Sequence, residues 1–187
     1  MLQSSLKQFM YYKQLAYKAM AQIKDHDFHI QTQLEDNSVA IIIRHMAGNM
    51  KSRWTNIFEE DGEKTWRNRD TEFEASNLSR EELLSLWEEG WNVLFNTLEK
   101  LDEKDLSRII YIRNEGLTVS DAILRQLCHY SYHCGQIVTK CKQLSDDVWH
   151  SLSIPRNGSN EYNTHKFTQA RQEVHFLDGL LDKDNKV

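Results

Sequence analysis

Thr118-Val119-Ser120-Asp121-Ala122-Ile123-Leu124-Arg125-Gln126-Leu127-Cys128-His129-Tyr130-Ser131-Tyr132-His133-Cys134-Gly135-Gln136-Ile137 reads as the opening and middle of one long helix. A hydroxyl at Thr118 and a carboxylate three residues later, at Asp121, form a capping-box pattern. Behind it Val119, Ile123, Leu127, Tyr130, Cys134, Ile137 and Cys141 recur at helical steps. His129 and His133 are four residues apart, so they stack on one face one turn apart. There a single metal ion could take both imidazoles. At about 100° per residue the apolar stripe centres near Leu127 and Cys134, and the two histidines border it.

The next helical pattern outward begins at Asn37 or Ser38, both good N-caps, and runs to about Phe58. Its stripe is Val39, Ile42, Ile43, Met46, Met50, Trp54 and Ile57. His45, Asn49 and Arg53 form a row along one edge of that stripe. In helical bundles such edges line seams or pocket mouths, and metal sites come from inward-facing side chains on adjacent helices. If His45, His129 and His133 meet, two helices supply three ligands and leave coordination positions open, as catalytic sites do.

Three further helices complete the reading. Residues 3–24 place Leu6, Phe9, Ala16, Met20 and Ile23 on one side. Ser79-Arg80-Glu81-Glu82 is a capping box that opens a helix with Leu83, Trp87, Trp91, Leu94, Leu98 and Leu101 in register. A last helix over about 164–182 carries Phe167, Ala170, Val174, Leu177 and Leu181. Between the third and fourth helices, Ile109-Ile110-Tyr111-Ile112 followed by Asn114-Glu115-Gly116 suits a short hairpin with a glycine turn. The expected architecture is an all-α bundle in one domain, 1–187, with that hairpin and an extra C-terminal helix. Asp61 to Asn77 is a long charged connection, functional or disordered by its length.

Composition narrows the function. The chain has 187 residues, 27% charged and 40% hydrophobic, with a net charge of -5. That is a soluble, globular balance without the basic surplus of a nucleic-acid binder. No apolar run approaches the roughly 20 residues that span a bilayer. The opening Met1-Leu2-Gln3-Ser4-Ser5-Leu6-Lys7 lacks the layout of a signal peptide. Three cysteines on one predicted helix, Cys128, Cys134 and Cys141, are read as reduced thiols, so a cytoplasmic location is expected. One proline and seven glycines favour long helices.

Plainer readings stand beside the metal site. A histidine beside an apolar face is ordinarily a hydrogen-bonded boundary residue. Tyr130 stands where the zinc-protease HExxH pattern needs its glutamate. His26, His29, His150, His165 and His175 read as solvated, and Trp66, Arg67 and Arg69 as a surface loop. The stretch from Ile154 to Ser159, with Arg156 and Gly158, suits an anion held by backbone N–H groups or a plain turn equally well.

His45 on the second helix with His129 and His133 on the fourth resembles the DinB-like superfamily. The resemblance is carried by Arg44-His45-Met46-Ala47-Gly48-Asn49-Met50-Lys51-Ser52-Arg53-Trp54, Asp61-Gly62-Glu63-Lys64 and Trp66-Arg67-Asn68-Arg69-Asp70. His129 to Ile137, Ser153 to Ser159 and Tyr162-Asn163 carry it further. It spans roughly residues 35–165 and is nearest to a bacterial branch of unknown function. It implies a four-helix bundle, a histidine triad for a divalent ion (Zn, Ni, Fe or Mn), and a homodimer, which five tryptophans also suggest. Characterised members of the wider superfamily include mycothiol-dependent maleylpyruvate isomerase and bacillithiol S-transferases. A low-molecular-weight-thiol S-transferase acting on a small molecule is therefore the leading expectation, with no catalytic residue assigned. Asn49, Arg53 and Arg156 are candidates to orient a carboxylate-bearing thiol such as bacillithiol. The alternatives are a metal-dependent hydrolase, a non-catalytic metal- or small-ligand-binding stress-response protein, or a site without metal.

Overall fold

The computed structural model describes residues 1–184, with side chains to residue 181. Its helices are α1 Leu2–Met20, α2 Val39–Trp54, α3 Arg80–Leu98, α4 Val119–Leu144, α5 Ser159–Phe167 and α6 Asp178–Asp184. Strands β1 Ile109–Ile112 and β2 Glu115–Thr118 lie between α3 and α4. The architecture is mostly helical, as expected. No described helix is long and apolar enough to cross a membrane.

The helix starts follow local chemistry. Ser38 accepts from the Ile41 N–H at 3.3 Å, and Ser79 and Glu82 close a reciprocal capping box. Thr118 caps α4 by accepting from the Asp121 N–H at 3.1 Å. The other half of that expected box differs, because Asp121 accepts from the Thr118 hydroxyl at 2.6 Å and not from its backbone. Each cap of this kind contributes about 1 kcal/mol.

α2 packs on α3 and α1 on α4, while α2 also meets α4 and α1 meets α3. The four elements converge on Tyr130 of α4, which is fully buried. Phe9 of α1 and Trp91 of α3 have ring centroids 5.9 and 5.7 Å from its ring. Trp54 at the end of α2 donates its indole N–H to the Tyr130 hydroxyl at 3.2 Å. That hydroxyl donates in turn to Asn49 Oδ1 at 3.0 Å. Gly90 lets α3 approach α2 closely, since a Cβ there would lie 2.9 Å from Ala47 Cα.

Three expectations are corrected. The first helix stops at Met20, not near residue 24, and a 3-10 turn over Asp25–His29 then buries Phe28. The hairpin turn is Arg113-Asn114, both at positive φ, and Gly116 lies within β2 opposite Tyr111. The extra C-terminal helix over 164–182 is instead two short helices, with 168–177 non-helical between them. Phe167 and Val174 are 84% and 60% exposed, so most of that stripe has no face to pack against. A helix needs such packing more than it needs propensity. Trp54, Trp87 and Trp91 are buried, which removes most of the tryptophan argument for a dimer.

Candidate metal centre

His45, His129 and His133 come together at the seam between α2 and α4, and one ligand atom from each lies within 4.8 Å of the others. His129 Nε2 is 3.4 Å from His45 Nε2 and 3.0 Å from His133 Nε2. His45 and His133 are buried, and His129 is half-buried at the pocket side.

The opposite ring nitrogens explain the orientation. His45 Nδ1 lies 2.9 Å from Glu72 Oε2, His129 Nδ1 3.2 Å from Gln126 Oε1, and His133 Nδ1 2.8 Å from Gln136 Oε1. Each acceptor can take an N–H from Nδ1, and an imidazole held this way in its neutral form presents a lone pair at Nε2. Three lone pairs face one another, and at most two could be reconciled by a shared proton. Burial first, then the neighbouring His133 and His45 and the Arg53 and Arg67 cations, push the His129 pKa down to about 3. Burial also lowers His133. These two rings are therefore neutral near pH 7, as metal ligands must be.

The donor set fits a small divalent ion. With metal–nitrogen bonds of about 2.0–2.1 Å, tetrahedral geometry sets neighbouring ligand nitrogens about 3.3 Å apart. The two observed separations bracket that value. The carboxylate behind His45 and the amide oxygens behind the other two are the outer partners that fix ring orientation and tautomer in metal sites.

Glu72 was not singled out by the sequence reading, yet it organises the site. It sits on a 3-10 turn, Asp70–Phe73, within the long charged connection. Besides His45 it accepts from Arg67 Nε and Nη2, both at 2.8 Å. Burial works to raise its carboxyl pKa, but the His45 and Arg67 hydrogen bonds outweigh it and hold the pKa below the usual range. Gly48, one turn beyond His45, admits this carboxylate, since a Cβ there would overlap Glu72 Oε1. Arg67, expected on a surface loop, has a side chain only 2% exposed. Its neighbour Trp66 is exposed as expected.

A pocket of about 230 Å³ opens beside the triad, lined by His45, His129, Asn49, Gln126 and the arginines 53, 67, 69, 113 and 125. Asn49 and Arg53 thus lie where their row on α2 suggested. Arg53 is 6% exposed, and it donates to the Gly62 carbonyl and, at 3.0 Å, to Glu63. Arg156 is exposed and is not part of that lining. Gln126 and Gln136 had a legible signal, standing three residues before His129 and three after His133 on the same helix. Arg113 had none, because only the hairpin's docking carries it here. Cys134 and Cys141 are buried, and burial raises both thiols, Cys141 to about 12. Cys128 is exposed but does not line the pocket.

Comparison with curated proteins and with solved structures gives no match. One family does match, over residues 1–158, which takes in both histidine helices, the Arg67–Glu72 turn and the hairpin, and ends before α5. Its description is "Protein of unknown function (DUF1572)", and the chain belongs to that family.

Proposed function

We propose that this chain is a divalent-metal-dependent enzyme, a DinB-like four-helix bundle in one domain, and that it transfers a low-molecular-weight thiol to a small electrophile. The observation that carries the metal reading is the set of three Nε2 atoms brought together, each ring held from behind through Nδ1. The thiol part rests on the resemblance to thiol-dependent relatives and on one feature of this chain. Cys134 and Cys141 are buried with raised thiol pKa values, and Cys128 lies off the pocket, so a sulfur nucleophile has to arrive with a small molecule.

A bound divalent ion supplies Lewis acidity that favours the ionised form of a thiol or water beside it. The protein's own residues do the rest. His45, His129 and His133 hold the ion, and Glu72, Gln126 and Gln136 keep their rings in the ligating tautomer. Asn49, with its Oδ1 engaged by Tyr130, keeps its amide N–H groups for a ligand in the pocket. Zn, Ni, Fe and Mn all suit an all-imidazole set, and availability would select among them. A homodimer and a cytoplasmic location remain part of the proposal, the dimer now on the resemblance alone.

Metal analysis of freshly purified protein, followed by thiol titration of the Co(II)-loaded form, tests the proposal. One ion per chain and a thiol-dependent sulfur-to-cobalt absorption band are expected. Protein without stoichiometric metal would overturn the whole reading. One ion with no response to thiols would overturn the S-transferase and leave hydrolysis or ligand storage.

A further inference from the structure

The pocket beside the triad has an unusual charge balance. Five guanidinium groups line it, those of Arg53, Arg67, Arg69, Arg113 and Arg125, and no carboxylate does among the described residues. Three carboxylates behind the lining answer them, and one of these, Asp61, acts on Arg53. Glu63 lies 3.0 Å from Arg53, 2.9 Å from Arg113 and 3.6 Å from Arg67. Glu72 lies 2.8 Å from Arg67. Asp70 is 95% exposed and 3.9 Å from Arg69, where solvent screens it. The pocket therefore holds a surplus of two positive charges, or one with Asp70 counted, in a chain whose net charge is -5.

Burial makes that surplus costly. Arg67 and Arg53 have side chains 2% and 6% exposed. Arg67 Nη1 and Arg53 Nε are buried and find no hydrogen-bond acceptor. A buried donor without an acceptor carries an unrecovered desolvation cost, larger when charged, and a ligand oxygen would relieve it. Arg125, on α4 one turn before His129, is exposed and has no ion-pair or hydrogen-bond partner among the described residues. Arg113 sits at φ 57°, in a two-residue hairpin turn where asparagine, aspartate or glycine is the ordinary choice. Asp61 holds this turn by accepting from the Arg113 and Asn114 N–H groups, both at 2.8 Å. A strained backbone thus carries a guanidinium to the pocket.

We infer that this pocket binds the doubly charged oxyanion end of a small substrate, a dicarboxylate or a phosphate monoester, with the reacting part of the same molecule at the histidine triad. Planar guanidinium groups match carboxylate and phosphate oxygens in pairs, which is why arginine serves such sites better than lysine. A volume of about 230 Å³ is below the roughly 300–1,000 Å³ of drug-sized pockets, so it suits an anionic fragment and not a whole nucleotide. The placement at the triad rests on the metal reading above; the anion site does not.

Calorimetric titration of the full chain, with and without Zn(II), by succinate, by inorganic phosphate and by the monoanion acetate separates the two. One dianion is expected to bind one to one, at least about tenfold tighter than acetate, and to weaken as salt rises. The better of the two dianions tells a dicarboxylate from a phosphate substrate. Arg125→Gln and Arg113→Gln should each lose about tenfold or more in affinity, as expected for a charge-assisted hydrogen bond. Arg125 is exposed and unpaired among the described residues, so its variant keeps the fold. Stoichiometric zinc with no dianion binding, or Arg125→Gln and Arg113→Gln both binding like the parent, would overturn the inference. Dianion binding without stoichiometric zinc would uphold the anion site while the metal reading fails.

Discussion

Two long segments of this chain look alike in composition and behave oppositely. The connection between α2 and α3, residues 55–79, and the stretch from Ser145 to Leu177 are both polar and rich in turns. The first sends Lys64, Arg67 and Glu72 into the interior, where Glu72 reaches His45 and Arg67 lines the pocket. In the second, Leu177 is the one buried residue, and Phe167 and Val174 face solvent. Charge content alone does not make a loop part of a site. What matters is whether its charged groups find buried partners, because an unpaired buried charge is too costly to persist.

The difference can be tested, beginning with the centre that the first segment serves. His129→Ala combined with His133→Ala should abolish stoichiometric metal while circular dichroism keeps the helical signal, since both rings border the apolar stripe. Undiminished metal content in the double variant would remove the centre altogether.

Glu72→Ala should weaken metal affinity by about 10–100-fold, the usual loss when an outer partner of a ligating histidine is removed. It should also destabilise the protein by about 3–5 kcal/mol, because it leaves Arg67 buried without its main partner. Phe167→Ser and Val174→Ser in the other segment should change stability by no more than about 0.5 kcal/mol and metal affinity not at all. Urea titrations with and without zinc make the comparison directly. Equal effects in the two segments would erase the distinction drawn between them.

Gly48→Ala asks whether the first segment acts through its carboxylate. Alanine is favoured over glycine in a helix by about 1 kcal/mol, yet its methyl overlaps Glu72 Oε1. Metal affinity should fall, by less than in Glu72→Ala, while thermal stability changes little. Unchanged affinity, read by competition with a zinc indicator, would show that His45 does not need Glu72 at this position.

The smallest effect concerns a third connection, residues 21–38, which is tied to α4 by an ion pair of Asp36 with Lys140. Hydrogen bonds from Lys140 and then Thr32 pull the Asp36 pKa down to about 2. A carboxyl depressed in the folded state stabilises above its unfolded pKa of about 3.9 and loses that contribution as pH falls through the folded value. Stability should therefore drop between about pH 4 and pH 2, and Lys140→Met should flatten that part of the curve. A parent and variant with the same acid slope would show that the tie is only a surface contact.

What the sequence determined by itself was local. Capping residues and 3.6-residue spacing marked α2, α3 and α4 to within a few residues, and His129 with His133 had to share a face because helix geometry leaves no choice. The edge position of His45 hinted at the seam, since stripe edges border neighbouring helices. Spacing also misled, in the C-terminal segment, where a periodic pattern lacks a surface to pack on. Tertiary structure alone decided that Glu72 stands behind His45 and that Gly48 makes room for it. It alone decided that Arg67 and Arg113 reach the pocket and Arg156 does not. Glu72, Arg67, Arg113 and Arg156 sit in loops and turns, where no period relates sequence distance to spatial distance. The positions of Glu72 and Arg67 follow from buried charges finding partners across the chain, and that balance exists only once the helices have packed.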